Sequence, residues 1–397
     1  MRESFDIFIS GGGIAGLSAA AAFGTAGFSV LIVDPSPPVT DATDPSADRR
    51  STAFLQPARN TLAEAGIWDR LGPFAAPLQV MRLADAGGEA SVIRKVADFN
   101  ADEISDEPFG WNLPNWLLRR EMTARLAELH TVDFRPGVGT KRITQRTDQA
   151  LIALSDGTQV AAPLAIAADG RNSFIRDAVG IPVTRWTYGQ RAMVFAVRHA
   201  EPSYGVSTEI HRTGGPFTLV PLPDGSQGPE SAVVWMERTD KAEALMAMDA
   251  AAFSAAATER SCGCQGPLTL CSPRAIWPII SMQAKSLTSE RVALVAEAAH
   301  VVPPIGAQGL NMSLGDIEAL LSLAKQAPDM LGHEDMLAAY QKARTPDITA
   351  RVRGVDTLNR AAMAESENLR ALRLKGLEWL HGLAPVRRVA MRAGLGL

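Results

Sequence analysis

Apolar residues fall into distinct rhythms along this chain. Phe5–Ser10 and Phe28–Val33 are apolar runs of strand length, and the alanine-rich stretch Ile14–Ala26 between them reads as a helix. With a tight glycine turn at 11–16, they predict a βαβ opening. Residues 35–48, rich in Pro, Asp, Ser and Thr, predict an exposed loop. Thr52–Trp68 and Asn115–His130 carry helical patterns. Lys141–Asp148 and Leu151–Ile166 alternate like strands, and Asp156-Gly157 marks a hairpin. From 181 to 280 the chain turns to Thr, Val, aromatic residues and Gly-Pro punctuation, which predicts short strands in an antiparallel sheet. The strand-like run Arg291–Ala296 then resumes the first pattern. Residues 314–363 read as helical, with Pro346 expected to break or kink the run.

The chain has 397 residues, enough for a large core and two domains. A net charge of −4 gives no nucleic-acid footprint. Three cysteines, Cys262, Cys264 and Cys271, form an odd set that argues for a reducing compartment, and without a fourth ligand no metal site is expected. No apolar run approaches the ~20 residues of a membrane span. The first apolar run is short and interrupted by Asp6, so no export signal is expected. Cytoplasmic placement follows as the default.

Two segments carry chemistry. Gly11-x-Gly13-x-x-Gly16 lies between a predicted strand and helix, with Asp34 at the end of the next strand. Gly11 permits the turn, Gly13 lets backbone approach a pyrophosphate, and Gly16 lets helix pack on strand. Ile14 and Ala15 complete the turn, and Asp34 can accept from ribose hydroxyls. This pattern predicts a dinucleotide site without saying which dinucleotide. In the second segment, the strand to Ala296 ends at Glu297. A rigid loop with Pro303, Pro304, Gly306 and Gly309 follows, and a helix begins near Leu310. Such a loop offers a carboxylate to hydroxyls and free N–H groups to an electron-rich ligand.

The segment 290–316 resembles the second flavin-binding motif of the FAD-dependent aromatic hydroxylases with the p-hydroxybenzoate hydroxylase fold. Its wording is most similar to the ubiquinone-biosynthesis hydroxylase branch. That family reads Gly-Asp where this chain has Ala296-Glu297. Ile166-Ala-Ala-Asp169-Gly170-Arg171-x-Ser173-x-x-Arg176 resembles the family's Asp-Gly motif, near the FAD pyrophosphate, with Arg176 as a ligand-side group or a helix-surface charge. The resemblance further implies that Arg50 lies near the flavin. It implies that Arg119, with Asn115 as the alternative register, reaches the ribityl or phosphate groups. Pro304 and Gly306 would line the ring, and backbone N–H groups near Gln308, Leu310 and Asn311 would face its pyrimidine side. His300 belongs to the strand-to-loop corner rather than to catalysis. His211 stands where the branch has Phe and either contacts a phenol oxygen or sits at a sheet edge. Trp235, Phe217 and Met236 are candidates for pocket lining or plain core.

The implied fold class is α/β: a Rossmann-like FAD-binding domain, an inserted antiparallel β-sheet substrate domain and C-terminal helices. Cofactor segments are expected at 1–75, 106–180 and 281–360, and substrate segments at 76–105 and 181–280. The tail 361–397 holds six Lys/Arg and three acids among Leu369, Leu372, Leu377, Trp379, Leu380 and Leu383. This basic amphipathic pattern predicts helices that lie on an anionic membrane surface, peripheral at its inner face, or pack on this protein or on a partner such as a quinone-biosynthesis complex. The implied activity is hydroxylation of an aromatic ring, with a prenylated phenol as substrate, molecular oxygen as co-substrate and a flavin hydroperoxide as oxidant. NADH or NADPH would act as transient reductant, since no second Gly-x-Gly-x-x-Gly is evident. The alternatives are a soluble aromatic-acid hydroxylase, for which Arg191 and Arg212 are candidate anion ligands, a prenyl-lipid reductase, and a non-catalytic scaffold motivated by the Ala296-Glu297 departure.

Overall fold

The four apolar runs Ile7–Ser10 (β1), Val30–Asp34 (β2), Leu164–Ala167 (β3) and Val292–Leu294 (β4) are almost wholly buried, as expected for parallel strands covered on both faces. They form the centre of a six-stranded sheet in the order 288–289, β4, β3, β1, β2, 132–136. A computed structural model defines the fold, describing residues 2–396 except 45, 49, 87–90, 224, 226, 227, 364 and 365.

The helix Ile14–Thr25 (α1) crosses this sheet and is buried from Ala15 to Gly24. Its small side chains allow that approach. A Cβ on Gly24 would lie 2.3 Å from Val132 Cγ2. The helices Asn115–Glu128 (α2) and Gln308–Gln326 (α3) flank α1, and all three share one apolar core with the sheet.

A nine-stranded sheet forms the second layer system. Its central strands are Val183–Arg198 (β5), Val206–His211 (β6), Pro216–Pro221 (β7) and Glu230–Arg238 (β8), with Ala275–Ala284 beyond β5. Two strands from earlier in the chain, 80–85 and 95–100, extend it past β6. The pairing is antiparallel throughout β5–β8, whereas β6 runs parallel to 80–85. One face packs on an aromatic cluster containing Phe195, Phe217, Trp235 and Phe253. The opposite face looks toward the loop that precedes α3.

Several boundaries differ from the pattern reading. Residues 51–55 form a strand paired with 110–114, and the helix begins only at Gln56, with Pro57 in its first turn. Two helices, 239–246 and 250–260, sit within the stretch read as sheet. Asp249 caps the second by accepting from the Ala252 N–H at 2.8 Å. Pro346 lies inside one continuous helix, Glu334–Ala362 (α4), and does not break it. The break falls at 327–333 instead, where Gly332 is left-handed at φ +69°.

The tail forms two helices, Glu367–Gly382 (α5) and Ala384–Leu395 (α6), that pack on their own protein. Met391 and Leu395 are buried against Leu55, Phe99 and Phe109, with Leu377 and Leu380 at the margin. Arg373 pairs with buried Asp85 at 2.7 Å and Arg387 with Glu103 at 2.7 Å. Leu372, Trp379, Leu383 and Val389 remain exposed on the outer side. Glu365 and the side chains of Glu367 and Leu369 lie outside the described residues. No helix among the described residues is long and apolar enough to cross a membrane.

Candidate functional site

The glycine turn divides its labour by position. Gly11 is at φ +109°, and a Cβ there would lie 2.4 Å from the Ala168 carbonyl oxygen. A Cβ on Gly16 would strike the Gly11 carbonyl at 1.8 Å, so helix and turn touch through bare backbone. Gly13 differs. Its φ is −68° and a Cβ would meet nothing within 4 Å, so the space above it is open. Ile14 and Ala15 begin α1, whose N-terminus has no side-chain cap. Asp34 Oδ2 accepts from the Gly12 N–H at 2.6 Å and Oδ1 from the Ser36 N–H at 2.8 Å. The carboxylate is thus fixed beside the turn.

The Asp-Gly segment joins this turn to the second motif. Asp169 follows β3 and accepts from the Ile175 N–H at 3.1 Å through Oδ2, while its buried Oδ1 has no hydrogen-bond partner among the described residues. Burial pushes its carboxyl up, against the lowering effect of Ser173 and of the Ile175 N–H. Arg176 is buried rather than a surface charge. It donates to the Arg171 and Ala298 carbonyls at 3.2 Å each, tying 171–176 to the corner after β4.

That corner hangs on Asp316 of α3. Its Oδ2 accepts from the Ala296 N–H at 3.1 Å and lies 2.7 Å from His300 Nε2, and its Oδ1 accepts from Arg344 Nε at 2.8 Å. Burial alone would raise this carboxyl. The His300 and Arg344 partners hold it below its ordinary value. His300 is therefore a structural member of a buried ion network, as expected from the corner motif.

Ala296 sits at φ +57°, a left-handed conformation that favours glycine, at the position where the resembling family has Gly. Glu297 points out of the corner. Its two oxygens accept from Arg171 Nε and a terminal nitrogen at 3.0 Å each.

The loop from Val301 to Leu310 forms one wall of a cavity of about 340 Å³. Gly306 and Ala307 are both left-handed, and α3 starts without a side-chain cap, leaving its first N–H groups as donors toward the loop. Strands β5–β8 supply the facing wall, with Val194, Ser207, Glu209, Thr218 and Val234 among its residues. Arg50, Arg171 and Glu297 stand at the same cavity, and Arg50 lies over the Trp277 ring at 4.8 Å.

The structure places the expected residues in two groups. Arg50, Glu297, Pro304, Gly306, Gly309 and Leu310 line the cavity. Gly11, Gly13, Gly16, Asp34 and Asp169 lie beyond it, at the βαβ turn, and Arg119 stands on α2 off the wall. Asn311 lies behind the loop. Its side chain donates to the Ala53 and Ala307 carbonyls and accepts from the Leu55 N–H, so that group holds strand 51–55 to α3. Asn115 lines the cavity while bonded to Thr52 and Asp48. His211 contacts Glu209 and is not on the wall. Phe217 and Trp235 point to the aromatic cluster on the far face, and Met236 packs with Ile279 and Ile305. Trp277, Arg82, Arg171 and Glu209 line the cavity without having been singled out as lining residues; for Trp277, Arg82 and Glu209 the signal is strand parity, which sequence alone does not orient, and Arg171 stands in the turn after Asp169-Gly170.

Comparison with known proteins agrees with this geometry. Residues 4–355 match the family described as FAD binding domain. The chain is 30% identical over 401 residues to the ubiquinone hydroxylase UbiL of Rhodospirillum rubrum, covering 98% of this chain and 89% of that protein. It is 26% identical over 400 residues to the 3-demethoxyubiquinol 3-hydroxylase of Escherichia coli, covering all of both. Among solved structures, it superposes on p-nitrophenol 4-monooxygenase PnpA of Pseudomonas putida with a TM-score of 0.81 at 19% identity, covering 100% of this chain and 99% of that one.

The residues present fit FAD. Open space stands over Gly13, and the buried Nε of half-buried Arg119 and the Oδ1 of Asp169 have no hydrogen-bond partner among the described residues. Gly13→Val is the sharpest probe, because a Cβ there meets no protein atom within 4 Å. The apoprotein should keep its melting temperature, while FAD affinity falls by about a hundredfold or more, read by fluorescence titration. In contrast, Ala296→Gly removes left-handed strain and should stabilise the fold by about 0.5–1 kcal/mol in urea unfolding. No gain there would mean that the corner carries no strain at Ala296.

Proposed function

The chain belongs to the FAD binding domain family, and on that premise we propose that it is an FAD-dependent, NAD(P)H-consuming monooxygenase that hydroxylates the ring of a prenylated phenol in ubiquinone biosynthesis. The observation that carries this reading is the cavity itself. It lies between the loop 301–310 and the mostly apolar face of β5–β8, so one cleft borders both a flavin-type loop and a ring-sized apolar wall.

When bound, FAD takes electrons from NADH or NADPH and supplies the oxygen chemistry of the reaction. Gly13, Asp34, Arg119 and Asp169 would hold its dinucleotide half, and the loop with Pro304, Gly306 and the uncapped start of α3 its ring. Oriented N–H donors there favour an electron-rich ligand. Val194, Val234 and Ile279 exclude water and hold an aromatic ring by contact.

The charges on the wall favour a neutral ring over an aromatic acid. Arg50, Arg82 and Arg171 are already paired with Asp48, Asp98 and Glu297. Arg191 and Arg212, the candidate anion ligands, pair with Glu243 and Glu259 and do not line the cavity. A carboxylate substrate would also meet buried Glu209. Outside the cavity, exposed Leu372, Trp379, Leu383 and Val389 lie among Lys375, Arg388 and Arg392, which supports docking of α5 and α6 on an anionic bilayer where prenylated phenols reside.

Two measurements test these readings. The purified protein should be yellow, and its NAD(P)H oxidation should accelerate with a prenylated phenol and yield a product carrying one labelled atom from molecular oxygen. Turnover of small benzoates instead would overturn the substrate assignment. The protein should also co-sediment with anionic vesicles, and Trp379→Glu should weaken this by about tenfold. Binding that does not respond to Trp379→Glu would place membrane contact elsewhere.

A further inference from the structure

We propose that Glu209 is the base that takes the proton from the ring hydroxyl of the substrate, and that His211 positions it and relays the proton outward. This rests on the reading that the cavity receives a phenol. Along β6 the side chains alternate. Ile210 enters the aromatic cluster, whereas Ser207 and Glu209 reach the cavity wall. Glu209 is only 8% exposed, a costly place for a carboxylate without a partner. Its Oε1 lies 2.5 Å from Nε2 of His211, two residues further along the same strand.

The surrounding charges are committed elsewhere. Arg82, on the neighbouring strand, holds Asp98 through two hydrogen bonds. Arg50 and Arg171, on the cavity wall, hold Asp48 and Glu297. Asp85, opposite His211 in the register, is held by Arg94 and Arg373, and Arg212 by Glu259. Across the sheet Glu209 faces Thr218 and Leu83, which carry no charge. Among the described residues no arginine or lysine pairs with Glu209, so this carboxylate remains a proton acceptor beside the cavity.

A simple phenol titrates near ~10, so at neutral pH it enters protonated. Its O–H bond breaks, the bonding pair stays on oxygen, and the proton passes to the Glu209–His211 pair. The imidazole, with 18% of its side chain exposed, releases that proton to water. Nothing is oxidised in this step. The phenolate feeds electron density to the ring carbon that accepts oxygen, and the pair returns a proton to the product.

Two chain-free probes separate this role from a structural one. 4-Fluorophenol is neutral at pH 7 and pentafluorophenol is ionised there, and fluorine NMR reads the binding of each to the FAD-loaded protein. Glu209→Gln removes a charge that repels the phenolate. It should bind pentafluorophenol about tenfold more tightly, with 4-fluorophenol affinity held within about threefold. Turnover of 4-fluorophenol should fall about a hundredfold, while reduction of the bound FAD by NAD(P)H keeps its rate. His211→Gln, whose amide nitrogen reaches the place of Nε2 and still donates to Glu209, should lower kcat for 4-fluorophenol and leave KM in place. Equal changes for the neutral and ionised probes, or none, would overturn the base assignment and leave Glu209 as a fold residue. Failure of 4-fluorophenol to bind the wild-type holoprotein would overturn the phenol reading itself, and the base with it.

Discussion

A single buried carboxylate sets the geometry on which the site depends. Asp316 is fully enclosed, yet it receives three donors from three places: the Ala296 backbone, His300 and Arg344. Together they fix the corner after β4 against α3 and α4. Removing one partner would strand a charge in the core, which is far more costly than any surface ion pair. The loop 301–310 is tied at its two ends, by the pairing of Val301 with Met282 and by Gln308, which meets Arg351 and the Gly394 carbonyl. Its position follows from the corner before it and the helix after it, with Asn311 adding the tie to strand 51–55.

From that anchor the two halves of the site follow. The same core that holds α3 holds α1, so the glycine turn and the proline loop belong to one body. Arg176 and the Arg171–Glu297 pair run between the two motifs. The longer Glu297 side chain, where the family has Asp, spans to Arg171 with both oxygens engaged. The second sheet contributes a wall whose two faces are chemically distinct, aromatic core on one side and cavity on the other. The arginines on the cavity are each neutralised by a carboxylate, which leaves a space suited to a neutral ring and one buried acid, Glu209, beside it.

Much of this was legible in the sequence, for physical reasons that can be named. The βαβ turn was readable because its requirements are local: Gly11 needs a left-handed backbone, Gly16 a missing Cβ, and Asp34 a place at the next strand end. The proline loop was readable for the same reason. Parity was not. Phe217 and Trp235 are larger and more apolar than Thr218 and Val234, yet the larger residues fill the far face and the smaller ones line the cavity. A strand pattern says which residues alternate, not which face is covered. The Ser51–Leu55 strand was hidden because its partner, 110–114, lies more than fifty residues away. The helices at 239–260 carried a signal in Asp249 before an alanine run that the surrounding strand pattern masked. The tail read correctly as amphipathic, but its inner contacts with Leu55 and Phe109 are set by tertiary packing alone.

The central claim is that residues 11–16 and 301–310 form one cradle for one molecule of FAD. A crystal structure of the protein grown with FAD tests it most directly. The account predicts a single extended FAD with its pyrophosphate over Gly13, its adenosine ribose at Asp34 and its ring against Pro304 and the start of α3. Density for FAD that bypasses either segment, or that enters the cavity from another side, would contradict it.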